Sequence, residues 1–141
     1  MEVLNPGITM LANWEVYSLL CDIRDGKNNE QKPLPSQPNL ANIVYSTSCY
    51  LRSTPCSVQS DGIIERFNEA LEEEFGLTKA ERLQILNLRA TTDVELQLIV
   101  EESEERFSDN EMKRLCDVVA KVLPEKGALK QSEQEGAEDC G

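Results

Sequence analysis

The side chains that could perform chemistry in this chain are carboxylates, cations and thiols, because the sequence contains no histidine. A nucleophilic triad needs an imidazole as its general base, so catalysis of that kind is not predicted. The sequence also lacks a glycine-rich phosphate-binding motif. Paired carboxylates are frequent only because glutamate is frequent. We therefore expect a protein that has no catalytic residues and no cofactor.

A metal site is not predicted either. The five cysteines are Cys21, Cys49, Cys56, Cys116 and Cys140. None forms a C-x-x-C pair, and without histidine the usual spacing of zinc ligands is missing. Cys116 falls on an apolar stripe, so we expect its thiol to lie in the core.

The composition favours a protein partner over nucleic acid. The chain of 141 residues has 14 basic and 26 acidic residues and a net charge of −12, a field that repels a phosphate backbone on average. It shows no charged-then-apolar leader and no apolar run of membrane-spanning length. We expect a soluble intracellular protein with no membrane insertion.

A cluster of acidic residues is the first candidate binding site; its members are Glu101, Glu102, Glu104 and Glu105. Such a run is often a solvated helix end. Acids at a helix C-terminus, however, oppose the helix dipole at a cost of about 0.3–1 kcal/mol each. The cluster therefore indicates either a docking patch for a basic partner or a helix that ends before Glu101.

Three cations form the second candidate. Lys79, Arg82 and Arg89 fall on one side of a predicted helix and could form a short nucleic-acid stripe. No aromatic residue accompanies them as a stacking platform. Pairing with neighbouring glutamates is the favoured interpretation, so we expect nucleic-acid contact to be weak or indirect.

Capping boxes predict the elements that position these residues. A hydroxyl residue precedes a glutamate by three positions in Thr78 and Glu81, in Thr92 and Glu95, and in Ser108 and Glu111. Each pair can exchange hydrogen bonds between side chains and the amides at a helix start. The predicted helices run from Thr78 to about Leu88, from Thr92, and from Ser108 to Leu123. The inward residues predicted for the second are Val94, Leu98 and Ile99, and for the third Met112, Leu115, Cys116, Val119, Val122 and Leu123.

Three further helices are predicted upstream. The first is capped by Asn13, has Val16, Leu19, Leu20 and Ile23 on one face, and ends at Asp25–Gly26. Residues 40–53 contain β-formers, but Leu40, Ile43, Val44, Thr47 and Leu51 share a helical face, so a helix is favoured over a strand. The third is capped by Ser60 and closed by Gly76.

These elements predict an all-α helical bundle. We divide the chain into an N-terminal arm and helix (1–26), a flexible linker with three prolines (27–39), a helical bundle (40–124) and a disordered acidic tail (125–141).

Several stretches of the sequence resemble a known family. LTKAERLQILN begins at Leu77, TTDVELQLIVEESEERF ends at Phe107, NWEVYSLLCDIRD begins at Asn13, and STPC includes Pro55. These words are similar to the small stalk subunit of RNA polymerase III. That family is the eukaryotic counterpart of the small stalk protein of archaeal RNA polymerase and is also called calcitonin-gene-related-peptide receptor component. The resemblance covers roughly residues 10 to 124, without the linker or the tail.

The resemblance implies an HRDC-like helical bundle in a non-catalytic, nuclear subunit. It implies a heterodimer with the larger stalk subunit, attachment to the polymerase III core, and initiation at transfer-RNA and 5S genes by receiving an initiation factor. Two alternatives stay open: a membrane-associated adaptor for peptide-receptor signalling, and a free HRDC-type nucleic-acid-binding module.

The N-terminal helix is the expected partner-binding element. Its apolar and aromatic residues cover more than one face, so it must be buried on the bundle or on a partner. The preceding segment adds apolar residues that have no local contact. Together with the resemblance, this favours the partner, and the predicted binding residues are Met10, Leu11, Trp14, Val16, Tyr17 and Leu20.

Overall fold

The computed structural model describes residues 9–26 and 36–126, and within these ranges the chain is all-helical, without a β-strand. The predicted all-α class is confirmed. The α-helices are α1 (Asn13–Asp25), α2 (Pro38–Arg52), α3 (Asp61–Glu72), α4 (Lys79–Leu88), α5 (Asp93–Ile99), α6 (Ser103–Arg106) and α7 (Asp109–Val122). A 3₁₀ helix (Pro55–Val58), which was not predicted, follows α2.

All three predicted capping boxes are present, and they begin α4, α5 and α7. In each box the cap amide donates to the glutamate carboxylate, and the glutamate amide donates to the cap hydroxyl. The two N···O distances are 2.8 and 3.2 Å for Thr78 and Glu81, 3.2 and 3.3 Å for Thr92 and Glu95, and 2.8 and 3.4 Å for Ser108 and Glu111. These boxes fix where three consecutive helices start.

The main core lies among α3, α4, α5 and α7, which pack on one another. It is largely aliphatic, and its fully buried side chains include Phe67, Leu71, Ile85, Leu96, Leu115, Val119 and Leu123. The predicted inward face of the last helix is confirmed at Met112, Leu115, Val119 and Leu123, while Cys116 and Val122 are half-buried against the core.

The first helix, predicted to lie in an arm outside the bundle, packs on other helices. Helix α1 packs along α2 and against the 3₁₀ helix. Just before it, Ala12 is buried in the main core, and the Asn13 amide donates to the Asn87 side-chain oxygen at 2.9 Å. Asn13 is the first helical residue and not the predicted cap, because Ala12 occupies the cap position with its amide bonded to the Glu15 carboxylate.

The helix predicted over residues 40–53 is confirmed, but its buried face differs from the prediction. Val44, Ser48 and Leu51 are buried, whereas Leu40 and Ile43 are exposed. The Ser48 hydroxyl donates to the Val44 carbonyl, so a small polar residue is accommodated inside without an unsatisfied group. The helix begins at Pro38, within the predicted linker, because proline is favourable at the first helical position.

The predicted apolar face of α5 is wrong at Val94 and Leu98 and right at Ile99, which packs against the core. Val94 and Leu98 are 66% and 84% exposed, and Leu96, which was not predicted, is fully buried. The segment is apolar at alternate and at adjacent positions, so two helical phases satisfy its pattern over only seven residues. The phase observed buries Leu96, with Ile99 and Val100 beside it.

The third helix begins as predicted, but it ends earlier than predicted. Ser60 is the cap residue of α3, but its side chain makes no capping hydrogen bond. The helix ends at Glu72, and Gly76 lies beyond it at φ 56°, a left-handed conformation that glycine adopts readily.

The predicted linker character of residues 27–35 and the predicted tail from residue 127 fall outside the described residues. The division of the chain into domains stays a prediction.

Matched leucine substitutions would test the observed burial. Leu115→Ala is expected to lower the free energy of unfolding by about 2–5 kcal/mol, because a fully buried side chain is lost. Leu98→Ala, at a mostly exposed position, is expected to change it by less than about 0.5 kcal/mol. Denaturant unfolding monitored by circular dichroism measures both. Equal losses would show that the assigned burial of α5 or α7 is wrong.

Candidate partner interfaces

The acidic cluster does not lie at a helix C-terminus. Helix α5 ends at Ile99, so Glu101 and Glu102 belong to a turn, and Glu102 adopts a left-handed conformation with φ 51°. Glu104 and Glu105 lie in the first turn of α6, where negative charge is favourable. All four side chains are exposed. The unfavourable interaction with the helix dipole, which favoured a docking patch, is therefore absent. The docking role of these four residues stays a prediction.

A buried carboxylate lies beneath the cluster. Glu81, of the α4 capping box, is only 7% exposed. Besides the Thr78 amide, its carboxylate accepts from the Glu101 amide at 3.3 Å and from both terminal nitrogens of Arg106, at 2.7 and 3.2 Å. Each carboxylate oxygen thus accepts two hydrogen bonds, which satisfies the carboxylate completely.

Arg106 joins three parts of the bundle. Its guanidinium forms a two-pronged pair with Glu81 and also donates to the carbonyls of Glu101, at 3.0 Å, and Gly76, at 3.2 Å. It lies 5.5 Å from the ring centre of Phe107, whose ring in turn is 6.5 Å from that of Phe75. Two-pronged arginine–carboxylate pairs are geometrically specific as well as strong. The Glu81–Arg106 pair therefore fixes the turn that presents the acidic cluster.

This network shifts the acidity of Glu81. The Arg106 hydrogen bonds, opposed by burial and supported by the two amide donors, lower the pKa of Glu81 from 4.5 to about 2. Since Glu81 is fully paired and buried, its altered pKa has a structural cause and does not indicate an acid–base role.

The three predicted cations do not form one open stripe. Lys79 is exposed, whereas Arg82 and Arg89 are half-buried. The Arg89 side chain donates to the Leu123 carbonyl at 3.1 Å, which ties the end of α4 to the end of α7. The Nε of Arg82 is buried without a hydrogen-bond partner among the described residues. Arg89 therefore makes a backbone contact in addition to the expected attraction to a neighbouring glutamate, Glu95.

The six predicted partner-binding residues fall into two groups. Met10 and Leu11, in the extended segment before α1, are 55% and 49% exposed. The others, Trp14, Val16, Tyr17 and Leu20, are half-buried on α1. None of the residues of α1 is fully buried, although the helix packs on α2. The α1–α2 layer therefore leaves apolar surface open.

Sequence reasoning missed an apolar stripe on α2. Leu40, Ile43 and Tyr50 are 39%, 62% and 67% exposed, and their spacing of three and seven residues places them on one side of the helix. Leu40 and Ile43 were predicted to be buried, because a helix that is apolar on two faces gives no signal for which face is inward. The signal that could have found the stripe is the width of the apolar surface itself.

An open groove adjoins the N-terminal segment. It has a volume of about 500 Å³ and lies between residues 9–12, α3 and α4, with Met10, Ile64, Leu83 and the cations Lys79 and Arg82 among its lining residues. Glu15 and Glu72 also line it, so its charges are mixed.

The described residues contain no group of His, Cys, Asp or Glu side chains that could hold a metal ion. Among the same residues, no helix has the length and apolar character needed to cross a membrane.

Comparison with known proteins identifies the family. The sequence model described as RNA polymerase Rpb4 matches residues 10–123. This chain belongs to the RNA polymerase Rpb4 family. It is also 32% identical over 132 residues to a protein of Schizosaccharomyces pombe (strain 972 / ATCC 24843) described as DNA-directed RNA polymerase III subunit rpc9. That match covers 88% of this chain and 100% of the relative. The resemblance inferred from sequence words is confirmed.

The match to the Rpb4 family spans every helix that the structure describes. It includes α1, the exposed residues before it, and the turn held by Glu81 and Arg106. The candidate surfaces of this Rpb4-family chain therefore lie in the part that it shares with the family.

Neutralising Glu81 would test the role of the Glu81–Arg106 pair. The folded-state pKa of Glu81 lies below the unfolded value, so the pair stabilises the fold above pH 4.5, and this contribution is lost as the pH falls toward 2. Glu81→Gln is expected to lower stability at pH 7 by on the order of 3 kcal/mol and to flatten the acid dependence of unfolding between about pH 5 and 2.

Glu111→Gln is the matched control, because Glu111 occupies the same capping-box position but is exposed and lacks a paired arginine among the described residues. Its loss at pH 7 should be much smaller. Chemical unfolding at several pH values measures both variants. An unchanged acid limb in Glu81→Gln would contradict the assigned role.

Proposed function

We propose that this chain is the small stalk subunit of RNA polymerase III and that it works, without catalysis, as half of a heterodimer with the larger stalk subunit. The similarity to an RNA polymerase III subunit over the full length of that relative supports the choice of enzyme. The observation that carries the heterodimer is the open apolar surface of the α1–α2 layer. The subunit would be located in the nucleus.

The α1–α2 layer has more apolar surface than its own packing covers. Helix α1 contributes apolar and aromatic residues, none of them fully buried, and α2 presents an exposed stripe of Leu40, Ile43 and Tyr50 beside its buried face. Contiguous apolar surface on a protein in water marks an interaction site. Aromatic and large aliphatic side chains are also the residues enriched at the centres of protein interfaces.

The segment before α1 extends this surface. Ala12 and Asn13 anchor the segment to the bundle, and Met10 and Leu11 are held next to the anchor with about half of each side chain exposed. Ordering them in advance lowers the entropic cost of binding. Met10 and Leu11 would insert into the larger stalk subunit, with Trp14, Val16, Tyr17 and Leu20 completing the contact from α1.

The remaining roles follow from the family rather than from a site. As a stalk subunit the chain would attach to the polymerase III core through its heterodimer and support initiation at transfer-RNA and 5S genes by receiving an initiation factor. The net charge of −12 fits protein partners better than direct nucleic-acid contact. Neither comparison names a receptor-signalling adaptor, and no feature of the described residues favours it or a free nucleic-acid-binding module.

The heterodimer can be tested without disturbing the fold. Met10→Ser with Leu11→Ser, and separately Ile43→Ser with Tyr50→Ser, should each weaken binding to the larger stalk subunit by at least about tenfold, because the altered residues are exposed in the free chain and buried in the complex. Calorimetric titration of the two purified subunits measures the affinity.

Leu88→Ser provides the control. Leu88 is 62% exposed, but it lies at the end of α4, outside the α1–α2 layer. Its affinity for the partner should equal that of the unaltered chain, and all variants should unfold at nearly the same temperature. Full affinity in both double variants would exclude the α1–α2 layer as the heterodimer contact.

A further inference from the structure

Helix α5 has an apolar outer face that the bundle leaves exposed. Val94 and Leu98, four residues apart, lie on the same side of the helix and are 66% and 84% exposed. The opposite side buries Leu96 in the core. A capping box fixes the start of this seven-residue helix, so the backbone positions of both residues are defined.

An acidic groove adjoins this face. It has a volume of about 650 Å³ and lies among α5, α6 and the start of α7. Its charged lining residues are Asp93, Glu104 and Asp109 against one cation, Lys113. Asp93 and Gln97 form its α5 side, and each immediately precedes a member of the exposed pair, so the groove and the apolar face run side by side along α5.

Neighbouring acids extend the negative charge. Glu101, Glu102 and Glu105 are exposed in the adjoining turn and in α6. Arg106 lies near Glu101 and Glu102 and attracts them, but its guanidinium hydrogen bonds go to Glu81 and to two backbone carbonyls. The surface therefore combines two exposed aliphatic side chains with a groove that has an excess of carboxylates.

We infer that the outer face of α5 and the groove among α5, α6 and α7 together bind a basic amphipathic segment of another protein chain. Aliphatic side chains of that segment cover Val94 and Leu98, and its lysine or arginine side chains enter the groove. Charge complementarity selects a basic segment and rejects an acidic one. Nucleic acid is excluded as the occupant, because its phosphates would face these carboxylates.

This surface is separate from the one proposed for the heterodimer. Helix α5 packs on α4, α6 and α7, whereas the proposed heterodimer contact lies on α1 and α2. A subunit already bound through α1 and α2 keeps α5 available for a second protein. Failure of either proposal leaves the other standing, since the variants that test them do not overlap.

Three synthetic peptides provide the probes for the full-length chain. One is a basic helix of about five turns with leucines at i, i+4 and i+7, one is its scrambled form, and one has the same leucines with glutamate in place of the basic residues. Fluorescence anisotropy should show saturable binding of the first peptide only. Absence of saturable binding, or equal binding of the scrambled peptide, would overturn the inference.

Matched variants localise the binding. Val94→Ser with Leu98→Ser should weaken it at least about tenfold, and Glu104→Lys should weaken it by about threefold or more and reduce its salt dependence. Leu88→Ser, at another exposed leucine, and Glu69→Lys, at an exposed acid of α3 with the same change in net charge, should stay within about twofold of the unaltered chain. Equal weakening by the controls would mean that the peptide responds only to overall charge, and the inference would fail.

Discussion

The arrangement of the second half of the bundle depends on one fully satisfied carboxylate. Glu81 closes the start of α4 and at the same time accepts from the backbone of the α5–α6 turn and from Arg106, which lies 25 residues further along the chain. Removing a carboxylate from water is costly unless its oxygens are paired, and Glu81 is the buried member of this pair. Here each carboxylate oxygen accepts two hydrogen bonds, so the buried charge strengthens one geometry and disfavours alternatives that would leave it unpaired.

Within the same network, the residues of the EESEERF stretch (101–107) have different structural roles. The backbone of Glu101 is held at both its amide and its carbonyl, Ser103 is buried, and Phe107 packs on the core beside Phe75. These constraints stabilise the left-handed conformation of Glu102, which a residue other than glycine adopts only when its surroundings require it. The glutamate side chains are left exposed to solvent. The stretch thus works first as a structural turn, and any docking by its acids depends on that turn.

The three capping boxes were predicted correctly from local signals, whereas contacts between distant residues could not be predicted. The three capping boxes involve residues three positions apart, so their chemistry is visible in the sequence and the structure has them all. The pairing of Glu81 with Arg106 has no local signature, although both residues lie within the words that identified the family. The phase of α5 could not be assigned because its short apolar pattern fits two faces. The packing of α1 on α2 was missed because the proline-rich sequence between them suggested that the first helix is separate from the bundle.

The chain combines two exposed apolar surfaces, which are suited to assembly, with a strongly acidic charge that opposes self-association. Leu40, Ile43 and Tyr50 on α2, and Val94 and Leu98 on α5, are exposed without being needed by the core, which is already closed around buried leucines. Losing either group should therefore affect binding more than folding. A net charge of −12 opposes self-association of such surfaces, since two copies repel each other, but it attracts a basic partner. The same excess of carboxylates that limits contact with nucleic acid thus favours selective contact with proteins.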